Sequence, residues 1–350
     1  MDKKKTKKQK FPSELRFDLV SKDWVVIATG RARKPESFKK EKRKQISELK
    51  GICPFCDMKN QEKPVLVFRG GKMVSGNKIA KDWTTVVVPN KYPAFLPYPE
   101  LEERKEGEFY QKMNAAGFHE VVITRDHNRT FGDFSLQEVK EVFDVYQKRY
   151  QDLMGKKFVN HVSIFHNQGE GAGASIAHTH SQIVTTPLID VDLKRALSNS
   201  ENYFKNTGKC IYCQMSEWER KVKKRVVFEN KLFVVICPFA SKSAFQAIVT
   251  PKFHSPYFEK AGEDLKRSLA EAFSATLKKM AKGLNNPDFN FYLHTAPCDE
   301  KEHPFYHWHW TILPKTSTLA GFEMGSKMEI STIEPERAAE YLRKQKVDEI

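Results

Sequence analysis

Two Cys-x-x-Cys pairs, Cys53-Pro-Phe-Cys56 and Cys210-Ile-Tyr-Cys213, head two stretches of chain that repeat one order of elements. Ahead of the first pair, Trp24 to Ala28 reads as a strand; behind it, Trp83 to Pro89 and Val121 to Thr124 do so by their β-branched content. A helix follows at 135–154, with Val139, Val142, Phe143, Tyr146 and Tyr150 on one face and a Ser135–Glu138 capping box at its start. Val159 to Phe165 is a strand, and a glycine-rich loop leads to another through Gln182 to Val184. Behind the second pair come strands at Val226–Phe228, Phe233–Cys237 and Gln246–Thr250. A helix at 262–283 is marked by Leu265, Leu269, Phe273, Leu277 and Met280, and strands at Phe289–His294 and His307–Leu313 complete the series. A replayed order of this kind is the mark of an internal duplication. Short connections, with the helices gathered on one side, predict an α+β fold with antiparallel sheets and flanking helices. The expected organisation is a disordered basic tail over 1–12, a first half over 13–197 and a second over 198–350, with Asn199–Gly208 as the link and a further helix at Pro335 to Gln345.

Six cysteines in a 350-residue chain of cytoplasmic character do not suggest a disulfide framework. Paired Cys-x-x-Cys with histidines elsewhere suits metal ligation, and zinc above all. Cys237 and Cys298 stand alone in apolar surroundings and read as packing residues. No apolar run approaches the roughly 20 residues that span a bilayer. The N-terminal MDKKKTKKQK has no apolar segment behind it, so it is not read as a secretory signal, and the cytoplasm is the expected location.

The segment from Phe165 to Gln182, Phe-His-Asn-Gln-Gly-Glu-Gly-Ala-Gly-Ala-Ser-Ile-Ala-His-Thr-His-Ser-Gln, concentrates the chemistry. Glycines at 169, 171 and 173 let the backbone approach a ligand, and consecutive N–H groups in such a loop can cradle phosphate oxygens. On the strand that follows, His178, His180 and Gln182 fall on one face by the two-residue period. One histidine can then hold a metal while the next faces the substrate. A neutral imidazole is a competent nucleophile towards an activated phosphoryl group, provided its other nitrogen keeps the proton. Gln182 can donate to a phosphate oxygen as charge develops.

Taken together, Asn-x-Gly-x-x-x-Gly-x-Ser-x-x-His-x-His-x-Gln resembles the active-site motif of the galactose-1-phosphate uridylyltransferases, members of the histidine-triad superfamily. The likeness extends to Asp23-Trp24-Val25, Arg31-Ala-Arg-Lys34-Pro35, the first Cys pair, Asn90-Lys-Tyr-Pro93 and Gly321-Phe322-Glu323. It is shared with relatives that act on ADP-glucose. The resemblance implies two fused histidine-triad-like halves, a homodimer and a ping-pong reaction. The residue matching His180 attacks the α-phosphorus of UDP-glucose, expels glucose 1-phosphate and passes the uridylyl group to a hexose 1-phosphate such as galactose 1-phosphate. By motif position, Asn167, Gly173, Ser175 and Gln182 contact phosphates, and Phe165, Asn90 and Arg31 lie near the nucleotide. Lys34 stands where the family often has arginine, and Phe322 and Glu323 match the sugar-facing segment. Ser317 and Thr318 replace a lysine and an aromatic residue found there in several members, which leaves the acceptor open. Adenylyl transfer from ADP-glucose to phosphate is the alternative with the same nucleophile, and hydrolysis is a third.

The resemblance also supplies His127 and His178 to Cys53 and Cys56, and His254 and His307 to Cys210 and Cys213. The separations, 51 residues from His127 to His178 and 53 from His254 to His307, agree as a duplicated metal site requires. His309 is an alternative to His307, with His303 nearby, and iron is an alternative to zinc in the second site. His119, His161, His166 and His294 take the plainer reading of structural or surface residues. The formal net charge of +15 suits either nucleic acid or small phosphorylated ligands. A zinc-stabilised nucleic-acid-binding protein is disfavoured. The ligands of each Cys pair are far away in sequence, unlike compact DNA-reading fingers, and the basic residues are not interleaved with a stacking platform.

Overall fold

The computed structural model describes residues 13–28, 34–38, 53–75, 79, 81–318 and 320–347. The lysine tail and Arg31 lie outside them. The chain begins with β1 (Glu14–Phe17), β2 (Trp24–Ile27) and the short α1 (Pro35–Phe38). The first half continues through β3 (Leu66–Arg69), β4 (Lys72–Met73), β5 (Thr85–Pro89), the hairpin β6 (Glu103–Glu106) and β7 (Tyr110–Met113), and β8 (His119–Thr124). It ends with α2 (Leu136–Met154), β9 (His161–Gln168) and β10 (His180–Thr186). Two helices follow, α3 (Val191–Thr207) and α4 (Ile211–Val222). The second half comprises β11 (Val226–Glu229), β12 (Phe233–Ile236), β13 (Ala247–Pro251), α5 (Glu263–Leu284), β14 (Phe289–His294) and β15 (His309–Pro314). The chain closes with α6 (Gly321–Ser326), β16 (Ile330–Ser331) and α7 (Pro335–Lys344).

Eleven strands form one sheet in the order β11-β12-β13-β15-β14-β9-β10-β8-β5-β3-β4, with antiparallel neighbours throughout. Read outward from the β9–β14 seam, each half places its next-to-last strand innermost and its last strand second, with three earlier ones in reverse chain order beyond: β8, β5 and β3 on one side, β13, β12 and β11 on the other. That common order is the duplication written into topology. The fold is α+β, two halves of like strand order fused along the seam, where Asn167 faces Asn290 and Phe165 faces Tyr292.

One face of this sheet is buried under α2 and α5. Ser135 caps α2, accepting from Glu138 N–H while Glu138 reaches back to Ser135 N–H, so two of the helix's orphan donors are satisfied. The apolar stripe read from the sequence, Val139 to Tyr150, enters the core. The Phe273 ring of α5 meets Phe143 of α2 at 4.9 Å, Phe291 of β14 at 5.4 Å and Trp310 of β15 at 5.6 Å, so the halves share one core. Phe273→Ala is therefore expected to destabilise the whole chain by about 3–5 kcal/mol. The check is a fall in the urea midpoint at unchanged slope. On β9 and β10 the alternate residues, Phe165, Asn167, His180 and Gln182 among them, look out on the opposite, more open face.

The stretch expected to be a link, Asn199–Gly208, forms the last turns of α3 and its C-cap, between β10 of the first half and β11 of the second. Asp190 caps its start by accepting from Leu193 N–H, and Gly208, at φ 68°, ends it in the left-handed region. Its polar composition hides a narrow apolar stripe, Leu193 and Leu197, that packs beside Tyr306. The first strands of the chain lie on the second half: Arg16 and Arg225 share Glu336 of α7, and Asp23 pairs with Lys242. No described helix is long and apolar enough to cross a membrane.

Candidate active site and metal clusters

His180 begins β10, next to Ser181, which pairs with His166 of β9. Its Nδ1 lies 2.8 Å from the carbonyl oxygen of His178. A carbonyl only accepts, so Nδ1 carries the proton and Nε2 keeps its lone pair. Burial holds the ring below the ordinary histidine pKa, against the favourable bond to the His178 carbonyl. The imidazole is accordingly neutral at pH 7. Phe55, between the first two cysteines, packs on it at 4.9 Å.

His178 stands just before the strand rather than on it, because its ring is drawn to the thiols. Its Nδ1 lies 3.6 Å from Cys53 Sγ and 3.5 Å from Cys56 Sγ, and His127 Nδ1 lies 3.3 Å from Cys56 Sγ. All four ligand atoms fall within 4.8 Å of one another. A tetrahedral ion with ordinary Zn–S and Zn–N bonds requires S···N edges of about 3.6 Å, so the residues fit such an ion. His178 donates Nε2–H to the Thr124 carbonyl at 2.6 Å, which fixes Nδ1 as its ligand atom. Cys210, Cys213, His254 and His307 form a second cluster of the same composition. Cys213 Sγ lies 3.5 Å from His254 Nδ1 and 3.4 Å from His307 Nδ1, and His254 donates Nε2–H to Pro304 O at 2.6 Å. The Cys213 and His307 side chains push the Cys210 thiol well below its usual range, towards the thiolate a metal takes. His309 stays out of the cluster with Nδ1 on the His307 carbonyl at 3.1 Å, and His303 pairs with Asp299.

The glycine loop differs from its expected role. Gly169 (φ 85°) and Gly173 (φ 83°) make the left-handed turns that glycine permits. Four of the loop's N–H groups are taken inside the protein: Gly171 on Asp288 Oδ2, Ala172 and Ala174 on Gly169 O, and Gly173 on Glu170 O. Gly173 therefore shapes the turn and does not offer its N–H to a phosphate. A Cβ at Gly169 would meet the Asp288 carboxylate at 2.0 Å, so the second half is pressed against this loop. Ser175 is exposed beyond it.

Asn90, at the end of β5, His119 of β8 and Gln182 of β10 form a chain across three strands: Gln182 Oε1 lies 2.7 Å from His119 Nε2, and Asn90 Nδ2 lies 3.1 Å from the same nitrogen. The sequence gives His119 the plainer reading of a structural or surface residue; its signal is a place on the strand that pairs with the strand of His180. Asn290 and Asp288 gave no signal, being remote in sequence. His166 keeps its structural reading, buried and stacked on Phe291 at 4.7 Å. Among the described residues, no hydrogen bond or ring contact ties Lys34, Phe322 or Glu323 to this cluster. The Lys34 carbonyl closes the first turn of α1, and Glu323 accepts from Ala320 N–H at the start of α6, where Phe322 is exposed.

By the duplication His309 holds the place of His180, and the second half has a cavity of about 610 Å³ there. Asp18, Asp23 and Asp190 line it with Lys242, it reaches Phe165 and Asn167 of the first half, His294 stacks on His309 at 4.5 Å, and Thr311 stands in Gln182's place.

The family model described as galactose-1-phosphate uridyl transferase, N-terminal domain, matches residues 3–189. A protein of Arabidopsis thaliana named ADP-glucose phosphorylase is 32% identical over 334 residues, covering 94% of this chain and 92% of that one. The galactose-1-phosphate uridylyltransferase of Thermotoga maritima is 25% identical over 345 residues, covering 96% and 99%. Among solved structures, an ADP-glucose phosphorylase from Arabidopsis thaliana with bound ADP-glucose matches with a TM-score of 0.77 at 29% identity, covering 96% of this chain and all of that one.

Proposed function

The chain belongs to the galactose-1-phosphate uridyl transferase family and is an enzyme of the nucleotidyltransferase kind; on that premise we propose that it carries a nucleotidyl group from a nucleotide sugar to a phosphate-bearing acceptor through His180. The observation that carries the reading is the His180 tautomer, with Nδ1–H on the His178 carbonyl and Nε2 left with its lone pair. That lone pair attacks the α-phosphorus. An N–P bond forms, the bond from phosphorus to the bridging oxygen breaks, and its electrons leave with glucose 1-phosphate, which needs no proton at neutral pH. An oxygen of the acceptor phosphate then attacks the same phosphorus and frees the imidazole. Gln182, Asn167 and Ser175 stabilise the charge on the phosphoryl oxygens, and Phe165 and Asn90 flank the nucleotide.

Zinc suits both Cys2His2 clusters. In the first, Cys53, Cys56, His127 and His178 would hold it, and it would supply rigidity at the start of β10 and no chemistry at phosphorus. In the second, Cys210, Cys213, His254 and His307 would hold it, tying the first turn of α4 to the approach to β15.

For the donor we favour ADP-glucose with inorganic phosphate as acceptor, supported by the Arabidopsis relative. UDP-glucose with a hexose 1-phosphate is the second reading, supported by the Thermotoga relative. The test is to incubate the protein with each nucleotide sugar and map the modified peptide by mass spectrometry. The expected result is an adenylyl group on His180, glucose 1-phosphate in solution and ADP on adding phosphate. A uridylyl adduct discharged only by a hexose 1-phosphate selects the second reading, and no adduct from either donor removes both.

A further inference from the structure

We infer that His119 and Asn290 are positioning residues that lock the side-chain amides of Gln182 and Asn167 with their NH2 groups free for the reacting phosphate. The inference rests on the reaction proposed for His180 and adds two residues to it, one from each half of the chain.

Each lock is anchored on a backbone group whose hydrogen-bond sense is not in question. Ala94 N–H donates to His119 Nδ1 at 3.1 Å. That nitrogen is therefore unprotonated, and the neutral ring carries its hydrogen on Nε2. Nε2–H points at the Gln182 side chain, 2.7 Å away, so the atom it meets is the acceptor Oε1. Asn90 Nδ2 also stands 3.1 Å from Nε2, but Asn90 Oδ1 is taken by Tyr92 N–H, so this second approach is a contact between two donors. The nearer Gln182 oxygen takes the proton, and the NH2 end of Gln182 is left over.

On the other side, Ala172 O can only accept, and it lies 2.8 Å from Asn290 Nδ2. The Asn290 amide thus presents NH2, and the same nitrogen lies 2.8 Å from Asn167 Oδ1. Asn167 is turned oxygen-inward, and its NH2 end is the one left. Neither leftover NH2 has a partner among the described residues. Both side chains lie on the more open face of β9 and β10, on either side of the His180 position. Without its partner, each amide can rotate by half a turn about its last bond at little cost and present an oxygen to an anion. The fixed orientation matters because the N–H groups of residues 171–174 are already taken within the protein, and a side-chain NH2 aimed at the phosphate adds a donor that needs no reorientation in the transition state.

The test uses the full-length, metal-loaded protein. The single-turnover rate of His180 adduct formation from ADP-glucose (UDP-glucose if that is the donor) is measured for His119→Phe, His119→Gln, Gln182→Ala and His119→Phe with Gln182→Ala. His119→Phe is expected to slow the step about 10- to 100-fold with donor affinity little changed. His119→Gln, which restores a donor at the Nε2 position, should recover most of the rate. The double variant should be no slower than Gln182→Ala, since an unlocked amide that is absent cannot be lost again. Asn290→Leu should behave in the same way over Asn167→Ala. A wild-type rate in His119→Phe, or losses that multiply in the double variants, overturns the inference. The ¹⁵N spectrum of histidine-labelled protein reads the lock without any activity, the His119 signals being those lost in His119→Gln. The Nε2–H tautomer is expected, and Nδ1–H overturns the His119 lock even if a rate variant fails to fold. Absence of any adduct on the wild type would instead remove the proposed reaction and leave the tautomer to be judged by the spectrum.

Discussion

His180→Ala is expected to lower the single-turnover rate of nucleotidyl transfer by at least about four orders of magnitude, because the variant has no atom that can form the bond to phosphorus. The loss should be chemical and not structural. The ring is not a ligand of the Cys53–Cys56–His127–His178 cluster, and its one polar tie among the described residues is to a carbonyl two residues away. Metal content and the unfolding midpoint should consequently stay near wild type, and nucleotide-sugar binding should survive. His309→Gln is the matched control. It alters the duplicated position in a cavity lined by carboxylates, and adduct formation should remain. Transfer that persisted in His180→Ala, or a loss shared equally by His309→Gln, would place the chemistry elsewhere.

Stripping the metal should produce the other large effect, and the two clusters should respond differently. Structural zinc in such sites contributes on the order of 10 kcal/mol to the folded state, which for a chain of this size corresponds to a fall of roughly 10 °C or more in the thermal midpoint. A strong chelator is expected to produce that fall with loss of two equivalents of zinc. Cys56→Ser, which opens the first cluster, should also slow adduct formation, because His178 is both a ligand and the residue whose carbonyl holds the His180 tautomer. Cys213→Ser opens the second cluster, whose residues hold α4 against His254 and His307, so it should lower the midpoint while the adduct still forms below it. Metal analysis, a thermal melt and the adduct assay on the same samples separate these outcomes. Equal loss of the adduct in both variants would show that the first cluster has no special relation to the nucleophile.

Much of this was legible in short windows of sequence. The capping box at Ser135, the stripes of α2 and α5, and the two Cys pairs with their distant histidines each depend on residues whose spacing is fixed by one element or by ligand chemistry. The helical form of Asn199–Gly208 was not legible, because that run is polar and the buried leucines of α3, Leu193 and Leu197, precede it. The glycine loop shows a different limit. Glycine content shows that the backbone can turn there, but not where its N–H groups will go, and Asp288 claims one of them from more than a hundred residues away.

By itself the sequence determined the candidate nucleophile, the composition of both Cys/His clusters and the doubled order of elements, since each is a matter of residue type at near-fixed intervals. Only the tertiary structure decided that the halves share one sheet and one core, that His119 reaches Gln182 and that Asn290 reaches Asn167. Those relations follow from strand order and register, and a shift of one residue in pairing would turn every such side chain to the other face.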